Sequence, residues 1–221
     1  GTIENLKRAE ETGIGAVRVA THVTEADVSV QHIRYAKSKG LFVVGFLMMS
    51  HMAEPEKIVE QARIFEAEGV DYINLADSAG YMLPNDVHRR IAALKESVSV
   101  PIGFHAHNNM GLAMGNSLAA LEAGAEYLDG TCRGLGAGAG NTQMEVLCAV
   151  LNRMGYDIHA DIYQMMNVAQ TTVEPLMHRP QAIRTDSLML GYAGVYSSFL
   201  LHARRAAKQF GIDIKDILIE L

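Results

Sequence analysis

Short apolar runs recur along the first two thirds of the chain at intervals of about 25–30 residues. Each run is continuous rather than alternating, which is typical of parallel strands that are buried on both faces. Polar residues or glycine follow most of the runs, so each strand is expected to be short. The predicted strands are centred near Val17, Val44, Ile73, Ile102 and Leu128.

Between these runs, apolar residues recur at the three-to-four-residue spacing of amphipathic helices. Glycines at positions 13, 69 and 124 each close one helical pattern just before the next strand, as left-handed helix caps do. Strands alternating with helices predict a parallel sheet covered by helices. The predicted helices span residues 25–39, 55–68, 85–96, 111–123 and 142–154.

Two α/β architectures fit this alternation, the doubly wound sheet and the (β/α)₈ TIM barrel. The regular unit length and the polar residues at successive strand ends favour the barrel, whose sites lie on that face. Only five strand units are visible, and the chain starts at Gly1 rather than at Met. We therefore expect residues 1–156 to form a TIM barrel that lacks its first three strands, preceded by further residues in the native protein.

The strand rhythm stops after Tyr156, and residues 157–221 have helical patterns only. We predict helices over 161–177 and 188–210, with Pro175 and Pro180 marking breaks. This segment is expected to form a separate C-terminal helical region beside the barrel.

Charge and composition exclude several classes of protein. The net charge is −6 and no long Lys/Arg cluster occurs, which argues against a nucleic-acid surface. No apolar run reaches the roughly 18 residues that a membrane span needs. Two cysteines in 221 residues are typical of a reducing, cytoplasmic setting. We expect no nucleic-acid partner and no membrane association.

The sequence His105-Ala106-His107 ends the fourth apolar run. Residues i and i+2 of a strand point to the same face, so both imidazoles are expected to enter one site. Imidazole pairs suit Zn, Mn, Fe, Co or Ni, although two polar residues leaving the core for a loop would give the same pattern. Asp77 and then Asp129 are the best visible candidates for an oxygen ligand, and a hydrogen-bonding role for either remains open.

A glycine-rich run, residues 134–141, follows the fifth strand. It matches the dinucleotide fingerprint G-x-G-x-x-A, with Asp157 farther along, but it lies in the last unit rather than in the first. A loop that brings backbone close to a ligand explains it equally well. Tyr192 and Tyr196 lie in a stretch of small residues, which places a phenol either near a site or in the core.

Six segments together resemble the 4-hydroxy-2-oxovalerate aldolase family, one of the barrel-based metal-dependent lyases related to HMG-CoA lyase. They occur in the same order along nearly the whole chain. The matching segments are residues 18–22, 45–52, 76–80, 105–109, 134–141 and 190–200.

The resemblance implies a retro-aldol cleavage of 4-hydroxy-2-oxopentanoate to pyruvate and acetaldehyde. It implies that His105 and His107 bind a divalent metal, Mn²⁺ or else Co²⁺ or Mg²⁺, with His105 also near the substrate. Ser78 resembles a substrate-contacting serine, and Tyr196 a catalytic tyrosine near the hydroxyl end of the substrate. The implied partner is an acylating acetaldehyde dehydrogenase, contacted by the C-terminal helical region.

One family motif, Arg-Asp-Gly-x-x-His, is absent from these residues. It carries the metal-binding aspartate and the histidine base, so the segment holds two ligands and no assigned base. His22 and His51 are possible substitutes for the base. Two alternatives remain: a nucleotide-binding dehydrogenase that uses the glycine-rich loop, and a catalytically incomplete segment that retains only partner binding.

Overall fold

The computed structural model describes all 221 residues and contains one five-stranded sheet. The strands lie side by side in sequence order, and β1, β2 and β3 pair in parallel. A doubly wound sheet reverses its strand order at a switch point, whereas sequential order is that of a barrel wall. The strands are β1 (Ala16–His22), β2 (Phe42–Met48), β3 (Tyr72–Asp77), β4 (Ile102–Ala106) and β5 (Tyr127–Asp129).

Helices connect the strands, as the apolar periodicity predicts. A first helix precedes β1, and each of the five predicted helices is present with ends within two residues of the expected ones. Pro55 occupies the first turn of α3, where its missing N–H leaves no hydrogen bond unmade. The helices are α1 (Ile3–Glu10), α2 (Ala26–Ser38), α3 (Pro55–Ala67), α4 (Pro84–Ser97), α5 (Ala113–Glu122) and α6 (Met144–Arg153).

The C-terminal region is helical, but its helices are shorter than expected. The helix predicted over 161–177 is present but changes type along its length: α7 (Ile162–Val168) passes into a π-helical turn and then a 3₁₀ turn that contains Pro175. The helix predicted over 188–210 is divided, because Gly194 adopts a left-handed conformation (φ 71°) that caps α8 (Thr185–Ala193). The last two helices are α9 (Leu200–Phe210) and α10 (Ile214–Ile219).

Contacts divide the chain into two compact units. Unit 1 comprises residues 1–77, 85–104 and 119–128, and its core includes the completely buried Phe65, Ile73 and Phe104. Unit 2 comprises residues 78–84, 105–118 and 129–221. It contains a helical core of Leu190, Val195, Leu200, Ala203 and Leu218.

None of the helices combines the length and the apolar composition that crossing a bilayer requires. Cys132 and Cys148 are both free thiols.

Candidate metal and active site

The structure brings His105 and His107 together at the carboxyl end of β4. The centroids of the two imidazole rings lie 5.2 Å apart and the ring planes are inclined at 70°. Both residues belong to unit 2. The period-2 geometry of the strand accounts for this arrangement, because the intervening Ala106 points away and is completely buried.

A carboxylate on the neighbouring strand orients the first of these rings. His105 Nδ1 lies 3.3 Å from the Oδ2 atom of Asp129, the last residue of β5. Both side chains are largely buried, at 16% and 15% exposure. A carboxylate that accepts from Nδ1–H fixes the tautomer and leaves the Nε2 lone pair for a metal.

The second ring is held neutral by its surroundings. Burial, and then the neighbouring charge of His105, lowers the pKa of His107 to about 4, against an opposing hydrogen bond to the backbone of Ala137. The Nδ1 atom of His107 is buried and has no hydrogen-bond partner. A neutral imidazole with a buried, unused lone pair is the form that binds a divalent transition metal, so this pair fits such an ion.

The chain supplies no third ligand of the usual kind. No group of three or more His, Cys, Asp or Glu side chains is arranged to hold a metal ion. Asp77 is completely buried at the end of β3 and belongs to unit 1, while Asp129 lies against His105. These residues therefore form a two-imidazole partial site.

The candidate substrate-binding and catalytic residues are divided between the two units. Ser78 directly follows β3, is 4% exposed, and belongs to unit 2. Tyr196, in the same unit, is half-buried and precedes the 3₁₀ turn that leads into α9. Tyr192 is 66% exposed on α8. The two possible bases, His22 and His51, both lie in unit 1.

Protein atoms fill the space that the glycines of residues 134–141 leave open. A Cβ atom at Gly136 would collide with the side chain of Asn141, one at Gly138 with Asn109, and one at Gly140 with the carbonyl of Gly134. Gly138 and Gly140 also have positive φ angles of 62° and 92°. Packing inside the loop thus accounts for these glycines without a bound dinucleotide.

One buried residue escaped the sequence reasoning. Asn109 is completely buried and joins two loops of unit 2 through its side-chain amide. Its place in the family-matching segment 105–109 was the available signal, since no periodicity marks a residue that bonds to distant loops.

Two protein-family models match consecutive parts of the chain. The model described as HMGL-like covers residues 1–172. The chain belongs to the HMGL-like family. A second model, described as a DmpG-like communication domain, covers residues 181–221.

The relatives of this HMGL-like chain are longer proteins. It is 62% identical over all 221 residues to a 4-hydroxy-2-oxovalerate aldolase of Moorella thermoacetica, and it covers 65% of that protein. A protein of the same name from Carboxydothermus hydrogenoformans is 60% identical and 66% covered. The chain therefore spans just under two thirds of the length of the curated relatives that it matches.

Solved structures of low sequence identity share the fold. Hydroxymethylglutaryl-CoA lyase from Pseudomonas aeruginosa superposes with a TM-score of 0.73 at 20% identity, over 81% of this chain and 69% of that one. The carboxyl transferase domain of Rhizobium etli pyruvate carboxylase gives 0.79 at 18% identity, over 94% and 37%. The expected partial TIM barrel with a C-terminal helical region is confirmed.

Proposed function

We propose that this chain is part of a divalent-metal-dependent aldolase that cleaves 4-hydroxy-2-oxopentanoate to pyruvate and acetaldehyde. The observation that carries the proposal is the imidazole pair on β4. His105 is oriented by Asp129, and His107 is neutral with an unused buried nitrogen. The names of the 60–62% identical relatives supply the substrate.

His105 and His107 would hold the metal, which we propose to be Mn²⁺ because the resemblance to the aldolase family implies that ion. When bound, such an ion supplies positive charge that stabilises developing negative charge on substrate oxygen. The chain's own part is to orient both imidazoles and to keep His107 unprotonated. Asp129 fixes one ring, and burial keeps the proton off the other.

The bond that breaks lies between C3 and C4 of the substrate. A base takes the proton of the 4-hydroxyl, C4 leaves as the aldehyde carbon of acetaldehyde, and the electron pair remains on C3 as the enolate of pyruvate. Protonation of C3 completes pyruvate. We assign Ser78 to substrate contact, and Tyr196 to the hydroxyl end of the substrate.

We further propose that residues 157–221 contact an acylating acetaldehyde dehydrogenase. The match of residues 181–221 to a DmpG-like communication domain supports an interaction role. Large apolar side chains are exposed along this segment, including Tyr163, Leu176, Tyr192, Leu201 and Phe210.

The test is a calorimetric titration of the chain with Mn²⁺, run alongside an assay of pyruvate release from 4-hydroxy-2-oxopentanoate. We expect one Mn²⁺ to bind per chain and the double variant His105→Ala/His107→Ala to lose that binding. His88→Ala is the matched control, because His88 is exposed on α4. Because the chain holds a partial site with no assigned base, we expect little or no pyruvate release from it alone, and any release should depend on Mn²⁺ and vanish in the same double variant.

Unchanged Mn²⁺ binding in the double variant would contradict the assignment of the metal ligands. Binding of NAD(H), with no metal dependence of any activity, would favour the dehydrogenase alternative. Tight binding to the dehydrogenase without turnover at any Mn²⁺ concentration would identify a segment that only binds its partner.

A further inference from the structure

Asn109 links two loops that are far apart in sequence. Its Nδ2 atom donates to the carbonyl of Ala79 at 2.8 Å, and its Oδ1 atom accepts from the backbone N–H of Ala139 at 2.8 Å. The residue is completely buried. A buried side-chain amide bonded at both ends holds its partners firmly, because breaking either bond leaves an unsatisfied polar group away from water.

Three glycines allow the backbone to approach this side chain closely. A Cβ atom at Gly80 would lie 2.8 Å from the backbone N of Asn109 and 2.9 Å from the carbonyl of His107. One at Gly138 would overlap the Oδ1 atom of Asn109, and one at Gly191 would lie 3.0 Å from its Cβ atom. Asn109 is thus enclosed by the loop after β3, the glycine-rich loop and α8, all within unit 2.

The loop that Asn109 holds is the one that surrounds His107. The backbone N–H of Asn108 donates to the carbonyl of Gly140 at 2.7 Å. His107 itself pairs with Asn141 in an isolated antiparallel bridge, and the backbone of Ala137 lies beside its ring. Ala139 lies between these contact points, so its bond to Asn109 fixes the segment that faces the imidazole.

The Nδ2 atom of Asn109 holds the backbone next to a second residue of the proposed site. It donates to the carbonyl of Ala79, which directly follows Ser78 in the sequence. One side chain therefore sets the backbone beside the proposed substrate-contacting serine and beside the proposed metal ligand.

We propose that Asn109 is a positioning residue of the metal site: it holds the His107 ring and Ser78 in register through Ala139 and Ala79. The inference rests on the proposed function for its consequence, but its geometric part is independent of any metal. Removing a partner bonded directly to a ligand typically costs about 10-fold to 100-fold in metal affinity, and Asn109, which acts through the backbone of Ala139, is expected to give the lower end of that range.

The test compares Asn109→Ala with Asn116→Ala. Asn116 is a matched control because it is equally buried, at 1% exposure, and its side-chain hydrogen bond goes from Nδ2 to the carbonyl of Met82 at 2.7 Å rather than to the glycine-rich loop. We measure the hydrogen exchange of the Asn108 and Ala139 amides by NMR, the Mn²⁺ affinity by calorimetry, and the melting temperature.

Both variants are expected to melt at a lower temperature than the wild type. Only Asn109→Ala should lose exchange protection at Asn108 and Ala139, and only this variant should bind Mn²⁺ about 10-fold or more weakly. Equal protection and equal Mn²⁺ affinity in the two variants would reduce Asn109 to a structural role and overturn the inference.

A wild-type chain that binds no Mn²⁺ would instead contradict the proposed function. In that case hydrogen exchange at Asn108 and Ala139 still tests whether Asn109 holds the loop, because the hydrogen bonds of these two N–H groups do not involve the metal. Protection lost only in Asn109→Ala supports it, and protection retained refutes it.

Discussion

The carboxylate of Asp129 lies 3.3 Å from the Nδ1 atom of His105, so the last residue of β5 orients a candidate metal ligand on β4. Replacing Asp129 with Asn keeps the shape and removes the charge that holds the Nδ1–H tautomer. We expect Mn²⁺ affinity to fall about 10-fold to 100-fold in Asp129→Asn. Calorimetric titration with Mn²⁺ measures this affinity.

Asp157→Asn is the matched control for that substitution. Asp157 makes a similar pair with His159, at 3.2 Å, but both side chains are highly exposed, at 76% and 86%. An exposed pair contributes little, so Mn²⁺ affinity should stay unchanged. Equal losses in the two variants would show that Asp129 does not act through His105.

The buried imidazole of His107 predicts a dependence of stability on pH. Its pKa is about 4 in the folded chain, whereas an unfolded chain has the ordinary histidine pKa of about 6.5. The unfolded state therefore takes up a proton first as the pH falls, and stability is lost between about pH 6.5 and pH 4. The expected loss is about 2 kcal/mol at pH 5 relative to pH 8.

Urea unfolding in the presence of EDTA at pH 8 and pH 5 measures this loss. The His107→Gln variant should lose about 2 kcal/mol less than the wild type over this interval, since it lacks the titrating group. His202→Gln, at an exposed position of α9, serves as the control and should behave as the wild type does. Parallel pH dependences in all three proteins would refute the assignment to His107.

A glycine on β4 permits an aromatic stack across the sheet. The rings of Tyr72 and Tyr127 are stacked with centroids 4.2 Å apart. A Cβ atom at Gly103 would lie 3.0 Å from the Tyr72 ring and 3.2 Å from the Cβ of Tyr127. We expect Gly103→Ala to lower the free energy of unfolding by about 1–3 kcal/mol through overpacking.

Gly115→Ala provides the comparison for that variant. Gly115 lies within α5 and does not have a positive φ, and a Cβ atom added there would extend into open space. Alanine should stabilise the helix at this position by up to about 1 kcal/mol. Denaturant unfolding measures the change in the free energy of unfolding in both variants. A Gly103→Ala protein as stable as the wild type would mean that the stacked tyrosine rings shift to accommodate the methyl group at little energetic cost.

The guanidinium of Arg90 ties α4 to the turn after β2. It donates to the carbonyls of Ser50, His51 and Ala53, at distances of 2.9 to 3.4 Å, and the residue is only 4% exposed. Truncation leaves the buried carbonyl of Ala53 without a donor and removes one donor from the other two, so Arg90→Ala should destabilise the chain by about 2–4 kcal/mol.

A comparison with the neighbouring Arg89 shows how much the burial of Arg90 contributes to stability. Arg89 is half exposed and its ion pair with Glu54 is a surface contact of 3.3 Å. Arg89→Ala should change stability by no more than about 0.5 kcal/mol. Thermal and denaturant unfolding of the two variants test the contrast, and similar losses would mean that the carbonyl contacts of Arg90 add nothing.

Local periodicity located most elements of the barrel segment. Helices α2 to α6 end within two residues of their predicted limits, because apolar spacing and capping residues act over a few neighbouring positions. The same reasoning failed at Gly194. An apolar helical pattern continues across this residue, and only its left-handed conformation separates α8 from α9.

The sequence by itself determined the alternation of strands and helices and the pairing of His105 with His107 on one face, since both follow from the geometry of a few consecutive residues. The tertiary structure alone decided that Asp129 orients His105, that Asn109 bonds to Ala79 and Ala139, and that the glycines of residues 134–141 accommodate protein atoms. The hydrogen bonds of Asp129 and Asn109 join residues 24 and 30 positions apart. Their formation depends on how strands and loops pack, which no local pattern encodes.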